Sequence, residues 1–238
     1  MYPIIAKIGP FIIYSYGMMV AIAFLFGVVI AKLEAVRKKI NPDLVYDLSF
    51  YLLIGSMIGA RFYYIFFFDL ENFLENPLSV FKIWQGGLSI HGGIFAGVIT
   101  GLVFSKARRI SFWVLADLVA PSIILGQAIG RVGCFLNGCC FGISIRPFCG
   151  LRSHPTQIYE LILDSVGFLV LWGLRKKIKL AGGLFLLYIM LYSVIRIIVS
   201  HFRADNSYLW NTNLTLADLT CVVMFTAALV LFIKKKYA

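Results

Sequence analysis

Apolar residues in this chain come in long runs rather than in alternation. Seven runs approach the roughly 20 residues needed to cross a hydrocarbon core: about Phe11 to Ala31, Leu44 to Phe68, Gly87 to Ser105, Phe112 to Ile129, Thr156 to Leu174, Leu180 to Ser200 and Leu214 to Ile233. Asn41-Pro42 marks the turn after the first run, because proline disfavours helix for the residue before it. The connection DLENFLENPLSVFKIWQGG follows the second run and carries Trp84, a residue suited to a membrane interface. Pro147 and Pro155 argue against continuous helix between the fourth and fifth runs. The pattern predicts an all-α membrane protein, a polytopic bundle of about seven transmembrane helices. Residues 1–238 are read as a single integral membrane domain, without repeats, carrying an extracytoplasmic loop near 131–155.

Composition strengthens that reading. Of 238 residues, 61% are hydrophobic and 14% charged, against about 45–50% and about 25% in soluble domains. No small-residue cleavage site stands out after the first run, so it is read as a span and not as a signal peptide. The net charge of +11 would suit a nucleic-acid partner if it were spread over one face. It is instead clustered: Lys32, Arg37, Lys38 and Lys39; Lys106, Arg108 and Arg109; Arg175, Lys176, Lys177 and Lys179; Lys234, Lys235 and Lys236. These clusters follow spans one, three, five and seven. That alternation is the positive-inside pattern, which places the N-terminus outside and the C-terminus in the cytoplasm. No nucleic-acid partner is expected.

This topology sorts the polar residues by depth. Tyr16, His91 and Glu160 lie early in spans that begin outside; Arg61 and Arg196 lie late in spans that end there, and Arg131 follows the fourth. An arginine near the centre of a membrane helix costs roughly 2.5–3.5 kcal/mol on insertion scales. Each arginine therefore needs a partner: an outer headgroup, Glu160 or Asp164, or a bound anion gripped by a guanidinium fork. For three arginines at one level the anion site is the better account, and the abundant anion at that depth is a phospholipid headgroup. His91, within GGLSIHGGIFAG, reads as a cross-bundle hydrogen-bonding residue when taken alone. Beside the arginines it reads as a general base, with an ordinary pKa near 6.5. Tyr16 and Tyr192 stand out from the other aromatics by their depth, and Asp117 and Asp218 read as helix-end residues.

The densest polar stretch is Gly126 to Gly142, GQAIGRVGCFLNGCCFG. Its Cys134, Cys139 and Cys140, with Cys149 beyond, lack the paired CxxC spacing of convincing zinc sites. Small-residue packing or an outside disulfide is expected ahead of any metal, and Cys221 is expected in the core. Neither a metal nor a cofactor is predicted.

Tyr16-Gly17, GGLSIHGGIFAG, GQAIGRVGCFLNG, HPTQIYE and YSVIRIIVSHFR, in that order, resemble the bacterial prolipoprotein diacylglyceryl transferases over nearly the whole chain. The resemblance implies an enzyme of the bacterial plasma (cytoplasmic) membrane, multi-pass, with its active site toward the outer leaflet. It would move a diacylglyceryl group from phosphatidylglycerol to the lipobox cysteine of a prolipoprotein signal peptide, forming a thioether and releasing glycerol phosphate. It implies His91, Arg131 and Arg196 as catalytic residues. Tyr16, Arg61, Asn137, Gly138, Glu160, Tyr192 and Arg203 are expected around the substrates and membrane lipid.

Three positions depart from the family pattern. The commoner signature reads GR-x-GN-x-x-N-G-E, where this chain has Cys134 for the first asparagine and Cys139 for the glutamate. Ser200 stands where a glutamate usually follows the sixth-span arginine by one turn. The rival readings are an anion or lipid transport protein and a non-catalytic paralogue that binds lipid.

Overall fold

The computed structural model describes residues 2–8, 11–82, 86–148, 151–208 and 214–237; Trp84 and Cys149 lie outside them. The elements in chain order are β1 (Ile4–Ile8), β2 (Phe11–Tyr14), α1 (Ser15–Arg37), α2 (Asp43–Phe68), α3 (Leu70–Glu75), a 3-10 turn (Pro77–Phe81), α4 (Ile90–Ala107), α5 (Phe112–Asn137), β3 (Ser144–Phe148), β4 (Leu151–Ser153), α6 (Thr156–Leu174), α7 (Gly183–Ser200) and α8 (Leu216–Tyr237). Among the described residues, seven helices are long and apolar enough to cross a membrane. The expected all-α polytopic architecture is the one observed.

Several expected boundaries move, two of them for a local reason that the structure shows. The first span begins at Ser15, because Ile4–Ile8 and Phe11–Tyr14 pair as an antiparallel hairpin. The hairpin is as apolar as the helix it leads into, so hydropathy alone merges the two. Ser15 ends it by directing both its N–H and its hydroxyl to the Pro3 carbonyl, at 3.0 and 3.2 Å. The fourth span, in turn, runs on to Asn137, so the following connection starts at Gly138 and not near 131. Glycines weaken a helix without breaking it, and α5 carries Gly126, Gly130 and Gly133 as well as Pro121. The helix stops where Gly138 takes φ +78°. There the N–H groups of Gly138 and Cys139 both turn back to the Cys134 carbonyl, at 3.0 and 3.2 Å, a glycine-based helix C-cap.

The chain divides into two compact units, Met1–Leu33 with Ala116–Ala238, and Glu34–Leu115. In the second, α2 packs along α4. Gly55 and Gly59 on α2 face Thr100 and Ala96 on α4, and Gly92 lies against Tyr63 and the Gly59 carbonyl. A Cβ at Gly59 or Gly92 would collide with these neighbours. Small residues every fourth position let two membrane helices approach at backbone distance, where dispersion substitutes for the missing hydrophobic drive. The Arg108–Asp47 ion pair, 2.5 Å, closes this unit's basic end.

The first unit is built on α5, α6, α7 and α8. Ala120, Ile124, Leu171, Leu184, Tyr188, Ile195 and Val199 form its buried core. Both acids expected at helix ends do cap helices. Asp117 of α5 accepts from the N–H groups of Gly182 and Phe185, at 2.9 and 3.0 Å, so it caps α7 and not its own helix. Asp218 and Thr215 exchange backbone-to-side-chain bonds at the start of α8, 3.1 and 3.0 Å, as in a capping box. Ser200, at the end of α7, donates to Asp218 Oδ1 at 2.5 Å. The position where the family pattern has an acid thus contacts one supplied by α8.

Candidate functional site

Three arginines close on one carboxylate in the first unit. Glu160, one turn into α6, is 3% exposed. Arg131 near the end of α5 pairs through Nε with Glu160 Oε2. Arg196 near the end of α7 donates from Nη1 to Oε1 at 2.9 Å. Arg203, just past α7, places Nη1 3.7 Å from the same oxygen. The alternating directions of α5, α6 and α7 explain the convergence: two helix ends and one helix start meet at a single level. Burying one anion among three cations is favourable only because each guanidinium is planar and can present its fork edge-on.

Arg203 also forms a two-toothed pair with Asp205, Nε to Oδ1 at 2.8 Å and Nη2 to Oδ2 at 2.5 Å. That hydrogen-bonded pair raises the guanidinium's pKa and lowers the Asp205 carboxyl's. Glu160 is thus shared, and Asp205 is committed to Arg203. Arg131 and Arg196 keep donors for an incoming group. Asp164, a further turn along α6 and 3% exposed, has no hydrogen-bond partner at Oδ1 among the described residues.

Other expected residues gather around this cluster. The Gly133 Cα hydrogen points at Tyr16, so that an added Cβ would meet the Tyr16 ring at 3.3 Å. This sets Tyr16, at the start of α1, against the α5 turn that carries Arg131. Tyr192 lies one turn before Arg196 and stacks on Tyr188, ring centroids 6.2 Å apart. Asn137 is the exposed last residue of α5, and Gly138 is the capping glycine.

Two residues with no expected role fix the floor of the site. Thr156 Oγ1 donates to the Cys140 carbonyl at 2.6 Å, and Gln157 Nε2 to the Cys139 carbonyl at 2.5 Å. Both are buried at the first turn of α6. Polar residues opening an apolar span were the signal, visible within HPTQIYE. The cysteines themselves come together: the Sγ atoms of Cys134, Cys139 and Cys140 all lie within 4.8 Å of one another. Burial pushes the Cys140 thiol pKa up.

Arg61 and His91 belong to the second unit. Arg61 is buried, and its guanidinium is spent on backbone carbonyls: Val80 at 3.2 Å, Gly86 at 3.0 Å, Gly87 at 3.1 Å and Ser79 at 2.5 Å. It is the clasp of the connection between α2 and α4. His91 is the second residue of α4, exposed, with its ring 6.4 Å from that of Tyr63. Ser89, its N-cap, is tied back to the Ala60 carbonyl at 3.0 Å. The Arg61 clasp and this tether together set where α4, and therefore His91, begins.

Known proteins resemble this chain along its length. A family model described as prolipoprotein diacylglyceryl transferase matches residues 3–234. A protein of Trichormus variabilis named phosphatidylglycerol–prolipoprotein diacylglyceryl transferase is 38% identical over 98% of this chain and 91% of its own. Proteins of the same name from Halalkalibacterium halodurans and Staphylococcus aureus (strain Newman) are 36% and 34% identical, covering 95% and 99% of this chain and 83% and 90% of theirs. The chain belongs to the prolipoprotein diacylglyceryl transferase family.

Proposed function

We propose that this protein transfers a diacylglyceryl group from phosphatidylglycerol to the lipobox cysteine thiol of a prolipoprotein, at the outer leaflet of the bacterial plasma membrane. The observation that carries the reading is the convergence of Arg131, Arg196 and Arg203 on the buried Glu160. Such a cluster suits a phosphodiester that becomes a phosphomonoester. The lipid's phosphate arrives with one negative charge and leaves in glycerol phosphate carrying more.

In this reaction the acceptor thiol, with an ordinary pKa near 8.5, must lose its proton to become a nucleophile. His91 takes that proton, directly or through a water. The sulfur forms a bond to the glyceryl carbon of the lipid, and the bond from that carbon to the phosphate oxygen breaks. The electron pair departs with glycerol phosphate. Arg131 and Arg196 stabilise the charge growing on the leaving oxygen; in dry surroundings this electrostatic effect is worth far more than in water. Glu160 holds the two forks at a fixed separation, so little reorganisation accompanies charge development. Tyr16, Tyr192, Asn137 and Gly138 shape the headgroup side, and Arg203 adds positive potential. Arg61 acts at one remove, by positioning the start of α4.

The basic last turns of α1, α4 and α8 support a cytoplasmic placement for those ends, hence an outward-facing arginine cluster. Incubating the purified protein with phosphatidylglycerol and a lipobox peptide tests the reading by intact mass. A gain of one diacylglyceryl group on the peptide is expected. No gain, together with anion flux in protein-containing liposomes, would replace transfer with transport.

A further inference from the structure

Three cysteines, two of which depart from the family pattern, are brought together by the helix cap. Cys134 lies in the last full turn of α5. Beyond Asn137 the backbone reverses at Gly138, and the N–H groups of Gly138 and Cys139 return to the Cys134 carbonyl. The chain is therefore folded back so that Cys139 and Cys140 face the turn that holds Cys134. The reversal is fixed from outside by α6. Gln157 and Thr156 hold the carbonyls of Cys139 and Cys140, and Cys140 adopts φ +65°, a left-handed conformation that costs a non-glycine residue roughly 1–2 kcal/mol. Two buried polar side chains thus spend hydrogen bonds on holding the adjacent cysteines, one of them in an unfavourable backbone conformation.

The resulting geometry is close to that of a coordination face. The Sγ atoms of Cys139 and Cys140 are 3.5 Å apart, and all three Sγ atoms fall within 4.8 Å of one another. A tetrahedral zinc with Zn–S bonds of about 2.3 Å has S···S edges of about 3.8 Å. Small side-chain rotations bring the three sulfurs onto such a face without moving the backbone. Three thiolates suit soft cations and exclude magnesium or calcium, which take oxygen ligands. Their negative charge has a ready counterion, because Arg131 Nη1 stands 3.9 Å from Cys134 Sγ. Cys134 is buried while Cys139 and Cys140 are half-exposed, so a cation can enter from the cap side.

We propose that Cys134, Cys139 and Cys140 form a three-thiolate binding site for a thiophilic d10 cation of the zinc class, with water as the fourth ligand. Binding displaces the thiol protons to solvent and forms three metal–sulfur bonds; no oxidation is involved. The proposal concerns metal binding alone and does not depend on the transfer reaction.

Cadmium titration of the full-length protein, purified in detergent and reduced with a phosphine, tests it. One equivalent should bind and produce a thiolate-to-metal charge-transfer band in the ultraviolet. Zinc in excess should compete with it, and three thiols should be protected from a maleimide. Cys134→Ser and the double variant C139S/C140S should each weaken binding at least 100-fold while keeping the wild-type circular dichroism spectrum, and Cys221→Ser should bind as wild type. Absence of the band in reduced protein, or a band that persists in C134S/C139S/C140S, would overturn the assignment. So would intact mass showing a Cys139–Cys140 disulfide together with no cadmium uptake after its reduction.

Discussion

Arg196 Nη1 stands 2.9 Å from Glu160 Oε1, and that same carboxylate is the partner of Arg131 and lies 3.7 Å from Arg203. Glu160 is therefore the hinge pin of the site. Removing one member of a buried ion pair costs about 3–5 kcal/mol, since the charge left behind stays desolvated. Glu160→Gln should lower thermal stability in detergent by about that amount and reduce transfer by about 10²-fold. A variant with wild-type melting and wild-type turnover would show that the arginines are organised by something else.

Arg196→Lys keeps the charge and loses the fork. A lysine ammonium is a point charge that cannot hold a carboxylate and a phosphate edge-on together. Turnover should fall by roughly 10²–10³, the cost of deleting one preorganised donor at a site of developing charge. The loss should appear in kcat more than in the KM for phosphatidylglycerol. Steady-state kinetics on a synthetic lipobox peptide checks this, and an unchanged kcat would remove Arg196 from the leaving-group contact.

Arg203 and Asp205 give a pH signature. Arg203 holds the Asp205 carboxyl below its ordinary range near 3.9. A depressed folded-state value means the stabilisation is fully present above the unfolded pKa and is lost as pH falls through the folded one. Asp205→Asn should melt below wild type at neutral pH, by a small margin because Asp205 is half-exposed. The two melting curves should converge in acid below about pH 4. A gap that stays constant into strong acid would mean that the ion pair is not its source.

Much of this was legible in the sequence, for physical reasons that differ by residue. The spans were readable because a bilayer demands about 20 apolar residues whatever their neighbours, and Thr156–Leu174 falls where expected. The hairpin before Ser15 was not readable, because an apolar strand next to an apolar helix offers no contrast in hydropathy. Arg131, Arg196 and Glu160 were placed together by counting span directions, which needs no packing detail. The role of Arg61 as a clasp was hidden: its partners are carbonyls, and every residue carries one. Ser200 looked like a missing acid; Asp218 reaches it only through α7–α8 packing, which no one-dimensional pattern encodes.

Gly59 and Gly92 hold α2 against α4 at backbone distance. Gly92→Ala should push the helices apart and cost about 1–3 kcal/mol, the usual penalty for overpacking. Because His91 is the adjacent residue, activity should fall alongside stability. Gly17→Ala, whose added methyl meets nothing within 4 Å, is the matching control and should melt at or slightly above wild type, because alanine favours a helix. Equal melting of both variants would show that the α2–α4 seam tolerates separation.

The orientation of the arginine cluster can be read with phosphatase fusions, since alkaline phosphatase is active only outside the cytoplasm. A fusion after Ser153 follows four of the seven spanning helices, and one after Tyr237 follows all seven. The first should be active and the second inactive, as the lysines ending α8 require. The reverse pattern would put Arg131, Glu160 and Arg196 at the cytoplasmic face, where a secreted precursor's cysteine arrives before translocation and not after it. The transfer would then have to act on the untranslocated chain. The fusion result therefore decides which side of the membrane supplies the acceptor thiol.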